Sequence, residues 1–347
     1  MYLPTAGTTK CACKVKLTMK LDNIDKNLLN IIQSEFPLSR EPFTQLGKEL
    51  GIRDKETIQR VAKLKDAGII RMIGPVFNPQ LLGYQTTLVA MQVQTELLDE
   101  TARIMATHPM VSHCYLREHK FNFWFTLALP VEDDMDDKVL KLGNILKADA
   151  TVNLPAIKMF KIGAYFGLGI AKKQESKKGH IPTSPRGKSP NFSSTDRRVI
   201  NELQQDLPLT LHPFNFMSTS LSMDINDFLD TCATLIKRKI MRRYSASVNH
   251  NSIGFTANAM TCWRVPPDLV EPAGKKIAAF PDVSHCYQRR TGELWPYNLF
   301  AMIHADTREK CQALARQVSQ EAGLGPDNSI ILFSTKEIKK TRVRYLV

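Results

Sequence analysis

The sequence predicts an α+β chain made by tandem duplication, each copy a winged helix-turn-helix followed by a ferredoxin-like βαββαβ unit. Three observations predict it. Residues recur at a near-constant offset along the 347-residue chain. Each copy opens with three short helical patterns and a strand. Each then runs through strand- and helix-period segments in the order β-α-β-β-α-β. The length alone favours two domain-sized blocks over one core.

The repeat is legible residue by residue. With an offset of 171, Asp25-Lys26 matches Asp196-Arg197, Phe36-Pro37-Leu38 matches Leu207-Pro208-Leu209, Pro42-Phe43 matches Pro213-Phe214, and Gly83-Tyr84 matches Gly254-Phe255. Val111-Ser-His-Cys-Tyr115 returns as Val283-Ser-His-Cys-Tyr287. After a short insertion in the second copy, Asn122 falls on Asn298 and Lys158/Lys161 fall on Lys336/Lys339. The expected organisation is a disordered tail at 1–20, a winged helix-turn-helix at 21–80 and a ferredoxin-like domain at 81–167. A Gly-, Ser-, Pro- and Lys-rich linker at 168–194 follows, then the second winged helix-turn-helix at 195–252 and the second ferredoxin-like domain at 253–347.

In copy one, Ile24, Leu28, Ile31 and Ile32 space a first helix. Pro42 starts a second that runs to Leu50, and Gly51 supplies the tight turn. Asp54 is the expected cap of a third helix ending near Ala67, where Gly68 stops it. Ile69–Phe77 reads as a strand and wing. A strand at about Tyr84–Gln94, a helix at Leu97–Thr107 and two strands (Val111–Glu118 and Phe121–Leu129) follow. A helix at Asp134–Leu146 and a strand at Val152–Lys161 complete the unit. Copy two repeats this from Phe255 to about Lys336.

The net charge of +13 invites a nucleic-acid reading, but residues 1–20 carry +4 of it and 168–194 carry +5, leaving +4 for the rest. Seven scattered cysteines form no CxxC pair, and the Cys11/Cys13 pair alone is a poor metal site, so no metal is expected. No apolar run reaches the length of a membrane span and no signal peptide is evident, which predicts a cytoplasmic protein with no membrane contact.

A winged helix followed by βαββαβ resembles the Lrp/AsnC regulators over nearly all of each copy, so a DNA-binding regulator is the alternative to weigh. Groove reading needs basic or amide side chains at the start of the third helix. Copy one offers Arg53, Lys55, Gln59 and Arg60 beside Asp54 and Glu56; copy two offers Asp224, Asp227 and Asp230, with Ser222 where Gly51 stands. Two matched reading heads are absent, so nucleic acid is not the expected partner.

Strand alternation sorts the faces of each sheet. Phe123, Phe125, Leu127 and Leu129 suit the side beneath the helices, as do Cys114 and Leu116. His113, Tyr115, Arg117, Asn122, Trp124 and Thr126 then share the open side. In copy two the open side holds His285, Tyr287, Arg289, Asn298 and Phe300, with Trp295 in the turn before. Lys158, Lys161, Lys336 and Lys339, with Arg342 and Arg344 beyond, stand at the ends of the last strands. The bland reading buries Trp124 and Phe300 between paired sheets and leaves 336–344 as a solvated terminus. The functional reading is a flat aromatic ligand with carboxylates on its rim, aromatic side chains for the plane and cations for the edge.

His113-Cys-Tyr-Leu-Arg117 followed by Phe121-Asn-Phe-Trp-Phe-Thr126 resembles the HNYLR…NxWFT signature of siroheme decarboxylases, the AhbA/AhbB and NirD/NirL proteins. Trp295-Pro-Tyr-Asn-Leu299 is similar to the partner subunit's WPYNL. Leu154-Pro-Ala156 with Lys158 and Lys161, and Lys336-Glu-Ile-Lys-Lys340, resemble the ends of the two subunits. The likeness covers about 22–167 and 195–346, as though two subunits were fused in the manner of NirDL. Cys114 and Cys286 stand where the first motif has Asn, at a position that alternation turns toward the core. The resemblance implies loss of carbon dioxide from the C12 and C18 acetates of siroheme, giving 12,18-didecarboxysiroheme for haem d1 or alternative haem biosynthesis. The macrocycle is its own electron sink, so no separate cofactor is expected. On this reading His113 and His285 are the acid/base candidates (either an alternative ligand to the substrate's iron), and Tyr115 and Tyr287 orient the leaving carboxylate. Substrate-binding candidates are Arg117, His119, Asn122, Trp124, Lys158, Lys161, Arg289, Arg290, Trp295, Asn298, Lys336 and Lys339. A single composite site between the two copies is expected over two separate sites, with homodimerisation a further option. A tetrapyrrole carrier or sensor without turnover is the third class.

Overall fold

A computed structural model describes residues 20–163, 191–249, 252, 254 and 257–347. The tail and linker expectations, Cys11 and Cys13 therefore lie almost wholly outside the described residues. Copy one contributes α1 (Asn23–Ser34), α2 (Pro42–Leu50), α3 (Asp54–Asp66), β1 (Ile70–Phe77), β2 (Tyr84–Gln92) and α4 (Leu98–Thr107). Its remaining elements are β3 (Val111–Arg117), β4 (Phe123–Pro130), α5 (Met135–Ile145) and β5 (Ala150–Ile162). Copy two contributes α6 (Ser194–Leu203), α7 (Pro213–Ser220), α8 (Ile225–Lys237), β6 (Met241–Val248), β7 (Ala257–Trp263) and α9 (Val270–Ala279). It ends with β8 (Val283–Arg289), β9 (Leu299–Ala305), α10 (Arg308–Glu321) and β10 (Ser329–Lys340).

Local chemistry sets the helix ends. Asp22 caps α1 in a capping box with Asp25, and Ser193 does the same for α6 with Asp196, the positions that the repeat equates. Pro42 and Pro213 open α2 and α7. Gly51 takes the left-handed conformation (φ 70°) that ends α2. Asp54 is not the cap of α3. It is the first helical residue, and Arg53 holds the cap position without a side-chain bond.

The two copies interlock at both levels. Their wings pair as an antiparallel ribbon, β1 with β6. Helices α1–α3 and α6–α8 close over it as one shared apolar core that includes Leu28, Phe36, Phe43, Phe214, Phe228 and Tyr244. Phe36 N–H donates to Tyr244 O across the copies (2.7 Å), and the equivalent Leu207 N–H donates to Ile73 O (3.3 Å). The side chain of Arg60, a groove-reading candidate, is engaged by Asp22 and Asp25 at 2.7 and 2.8 Å and by Glu56.

Within each ferredoxin-like unit the strand order is β3-β4-β2-β5 and β8-β9-β7-β10. The last strand of each copy then runs on to pair with the other copy, β5 with β8 and β10 with β3. The result is a closed eight-stranded barrel rather than two separate sheets. Full closure removes every sheet edge, which is the physical return for the exchange. Outside, helices cover Phe123, Phe125, Leu127 and Leu129 with Cys114 in one core, and Cys286 sits in its counterpart. Inside, Trp124, Trp295, Phe121, Phe300, Leu154 and Leu332 form a third core between the sheets. Trp124, Trp295 and Phe300 are thus packing residues.

The end of the chain is not a solvated terminus. Arg342 runs beneath the ribbon and donates to Pro75 O (2.8 Å) and Ser245 O (3.0 Å). Tyr345 is buried with its ring 4.9 Å from Tyr84 and 6.5 Å from Phe77, while Gln204 brackets its backbone at 2.6 and 2.9 Å. A chain ending at Lys340 is expected to lose at least ~3 kcal/mol, the scale for a buried aromatic with its cavity. Urea unfolding of the truncated and full chains measures this, and coincident midpoints would refute it.

Candidate functional site

Strands β3 and β8 carry the repeated Ser-His-Cys-Tyr run to the barrel mouth that faces the ribbon. Each histidine stands where the other copy's last strand pairs: His113 opposite Lys340, His285 opposite Ile162. A serine fixes each ring, Ser112 Oγ at 2.9 Å from His113 Nδ1 and Ser284 Oγ at 2.9 Å from His285 Nδ1. The serine occupies Nδ1, so Nε2 is the atom available for chemistry.

Both imidazoles are held neutral. Burial, then the charges of Lys340, His285 and Arg71, bring His113 down to about 3. Burial, then Lys340, Arg243, Arg289 and Lys161, bring His285 down to about 4. That His285 acts on His113, and Lys340 on both, places the two copies' imidazoles in one electrostatic environment. Two residues on, burial pushes the phenols of Tyr115 and Tyr287 upward, and Glu337 adds to the effect at Tyr115, so both remain O–H donors at neutral pH.

Arg117 and Arg289 lie beneath the tyrosines, their guanidinium carbons 5.5 and 4.9 Å from the ring centres. Nη1 of Arg117 donates to Leu332 O (2.9 Å) and Nη1 of Arg289 to Leu154 O (2.8 Å), in each case a strand of the other copy. Burial lowers both to about 10, which leaves them cationic at neutral pH. Among the described residues neither has a carboxylate partner, and the Nε of each is buried without a hydrogen bond. Uncompensated buried cations are costly alone and favour an incoming anion.

Further cations arrive from β1 and β6, which the sequence did not single out, and from Lys340 at the end of β10. Arg71 on β1 pairs with Glu337 (2.7 Å) and donates to Asn249 (3.0 Å), and its charge reaches His113 and Tyr115. Arg242 and Arg243 on β6 act on Tyr287 and His285. Lys340, held down to about 8 by burial, stands between the histidines electrostatically. A signal existed: Arg71 and Arg242 are separated by the same repeat offset of 171.

Several expected site residues lie elsewhere. Asn122 clamps both polar groups of Val93 (3.0 and 2.8 Å), and Asn298 clamps Val265 in the same way (2.9 and 2.7 Å). Trp124, with its indole N–H donated to Phe121 O, packs on Trp295, and His119 stacks on Phe121 beside that indole. Lys158 pairs with Glu271 and Lys161 donates to Phe280 O (2.5 Å), while Lys336 meets Asp99 (3.3 Å) and Lys339 donates to His108 O (2.6 Å). All four lysines thus reach toward the outer helices. The reason is local: β5 and β10 each carry irregular registers where they cross to the other copy, which breaks simple alternation. Arg290 pairs with Asp136 at the surface (2.5 Å). Among the described residues no cluster of His, Cys, Asp or Glu is placed to hold a metal ion, and no helix is long and apolar enough to cross a membrane.

Known proteins show the same organisation. The AsnC-like ligand binding domain family matches residues 81–161 and 252–339, and the siroheme decarboxylase NirDL-like HTH domain family matches 25–71 and 196–242. A siroheme decarboxylase of Hydrogenobacter thermophilus is 37% identical over 92% of this chain and 93% of its own. A siroheme decarboxylase beta subunit of Methanosarcina barkeri is 39% identical over 44% of this chain and 99% of its own, so a whole subunit corresponds to one copy. The crystal structure of the siroheme decarboxylase NirDL in complex with an iron-uroporphyrin III analogue superposes with a TM-score of 0.67 at 34% identity, covering 94% of this chain and 95% of that one. With two half-sized subunits joined in one chain and both folded as in these relatives, the protein belongs to the siroheme decarboxylase family.

Proposed function

We propose that this chain removes carbon dioxide from acetate side chains of siroheme at one composite site between the barrel mouth and the β1–β6 ribbon. The observation that carries this is the gathering of Arg117, Arg289, Arg71, Arg243 and Lys340 around two neutral His-Tyr pairs, with Glu337 the acid identified among them. A macrocycle rimmed by carboxylates offsets that positive charge, and its own iron enters with it as part of the substrate.

In the reaction the bond between the acetate methylene and its carboxylate breaks, carbon dioxide leaves, and the bonding electrons pass into the ring. A proton then completes the methyl group, so one proton is consumed for each carbon dioxide released. His113 and His285, presenting Nε2, are assigned to proton delivery, with axial contact to the substrate's iron the other use of a neutral imidazole. The Tyr115 and Tyr287 hydroxyls orient the departing carboxylate, and the guanidinium groups hold those that stay. The acetates at C12 and C18 sit on pyrrole-type rings able to take the electrons. Fusion of the two copies favours the haem d1 route over the alternative haem route.

Anaerobic incubation with siroheme, followed by mass spectrometry of the extracted pigment, tests the reading. The expected product has lost two carbon dioxide units. Pigment that stays bound and unchanged would favour a carrier, and pigment that neither binds nor changes would sink the proposal.

A further inference from the structure

The two halves of the site repeat their histidine, tyrosine and arginine but not what stands across from them. In the cross-strand register Glu337 of β10 faces Tyr115, and Met159 of β5 faces Tyr287. The repeat equates these two positions, each directly after one of the matched lysines Lys336 and Lys158. Met159 is buried and carries no charge. Glu337 turns Oε1 to Arg71 on the ribbon (2.7 Å), which sets its carboxylate in the gap between ribbon and barrel mouth. Its Oε2 is buried and receives no hydrogen bond. A carboxylate oxygen without a donor repels a second carboxylate brought beside it. The phenols register the difference. After burial, the strongest influence on Tyr115 is Glu337, ahead of Arg117 and Arg71, whereas Tyr287 after burial feels Arg289 and Arg242, both cations. Lys340 does not even this out, because it acts on both histidines.

We propose that Glu337 fixes the order of the two decarboxylations, so that the acetate held at Tyr115 is lost before the one held at Tyr287. The inference rests on the decarboxylase reading of this site. An acetate at Tyr287 meets cations alone and is held firmly. One at Tyr115 meets Arg117 and the unshared oxygen of Glu337 together, which raises its bound ground state. Breaking the bond between its methylene and its carboxylate releases carbon dioxide and moves the electron pair into the macrocycle. Negative charge is thereby carried away from Glu337, and a proton from His113 completes the methyl group. Repulsion present in the bound carboxylate is relieved in the transition state, which speeds this step at the expense of affinity. At Tyr287 the cations favour the compact carboxylate over the spread charge of the transition state, and loss there is slower. Glu337 is therefore a specificity-determining residue, selecting which of two chemically similar acetates reacts first.

The test mixes the full chain with siroheme without oxygen and stops the reaction within one turnover. The singly decarboxylated pigment is isolated, and magnetic resonance after removal of iron shows whether C12 or C18 still carries its acetate. The parent chain is expected to give one isomer in clear excess. Glu337→Gln keeps an amide oxygen for Arg71 and removes the charge. It is expected to bind siroheme more tightly and to lose the first carbon dioxide more slowly, each by roughly 10-fold, the scale of one partly screened like charge. The isomer excess should collapse with it. Tighter binding coupled to a slower first step marks the removal of ground-state strain. Met159→Glu combined with Glu337→Met moves the charge across and should give the other isomer in excess; should that variant not fold, Glu337→Gln decides. Equal isomers from the parent, or an undiminished excess from Glu337→Gln, would overturn the proposed order alone. Weaker pigment binding or a lower melting temperature in Glu337→Gln would overturn it in favour of a structural role for the Arg71 pair. If the parent chain itself leaves siroheme unchanged, the decarboxylase reading falls and the order with it.

Discussion

Replacing either His113 or His285 by alanine is expected to lower turnover by about 10²- to 10⁴-fold, the range that a positioned acid or base supplies. Each ring is anchored at Nδ1 by its own serine, and both feel Lys340, so one site should need both. Equal partial losses that sum to the whole activity would instead indicate two independent sites. The charge state gives a second readout. With pKa values near 3 and 4 in the free protein, both rings are neutral at pH 7, below which an unperturbed imidazole would titrate at about 6.5. A polyanionic ligand brings negative charge that raises both values, so binding should take up protons and tighten as the pH is lowered from 7 toward 5. Calorimetry in buffers of different ionisation enthalpy measures the uptake, and His113→Gln or His285→Gln should reduce it. Binding with no proton uptake would indicate that the neutral imidazoles serve the iron.

The second large effect is on stability. Trp295→Ala or Trp124→Ala is expected to cost about 3–5 kcal/mol, as for other buried aromatics replaced by alanine. Each is 1% exposed, the ring centres are 5.0 Å apart at 73°, and Phe121 packs 5.8 Å from Trp295. These two indoles, one from each copy, fill the space between the sheets. Unfolding in denaturant gives the value directly. If stability held while siroheme binding weakened, the indoles would be ligand contacts, as strand alternation alone suggested.

That contrast shows what the sequence made legible. Offset repeats and periodicity revealed the duplicated order of helices and strands, and alternation correctly separated Phe123, Phe125 and Leu127 from Trp124, and Cys114 from His113. It could say that Trp124 faces the open side of a sheet but not what lies opposite, because Trp295 comes from 171 residues away. The exchange of β5 and β10 was hidden for the same reason. Their lysines were expected at the rim of a ligand, yet the irregular registers at Lys158 and Lys336 turn them to α9 and α4. Arg71 and Arg243 escaped notice because a wing read on its own points to DNA, whereas here the two wings pair with each other.

The reciprocal exchange of last strands has a consequence for how such a protein can be assembled. Were the halves made as separate polypeptides, each would carry an extended strand that any compatible half could accept. Like could then join like, giving particles with two copies of His285 or two of His113 facing one another. Joining unlike halves in a single polypeptide makes their union intramolecular and fixes a one-to-one ratio at translation, whatever the abundance of other copies. An asymmetric catalyst is thereby inherited as a single gene product, and its two faces are free to diverge without the risk of meeting themselves.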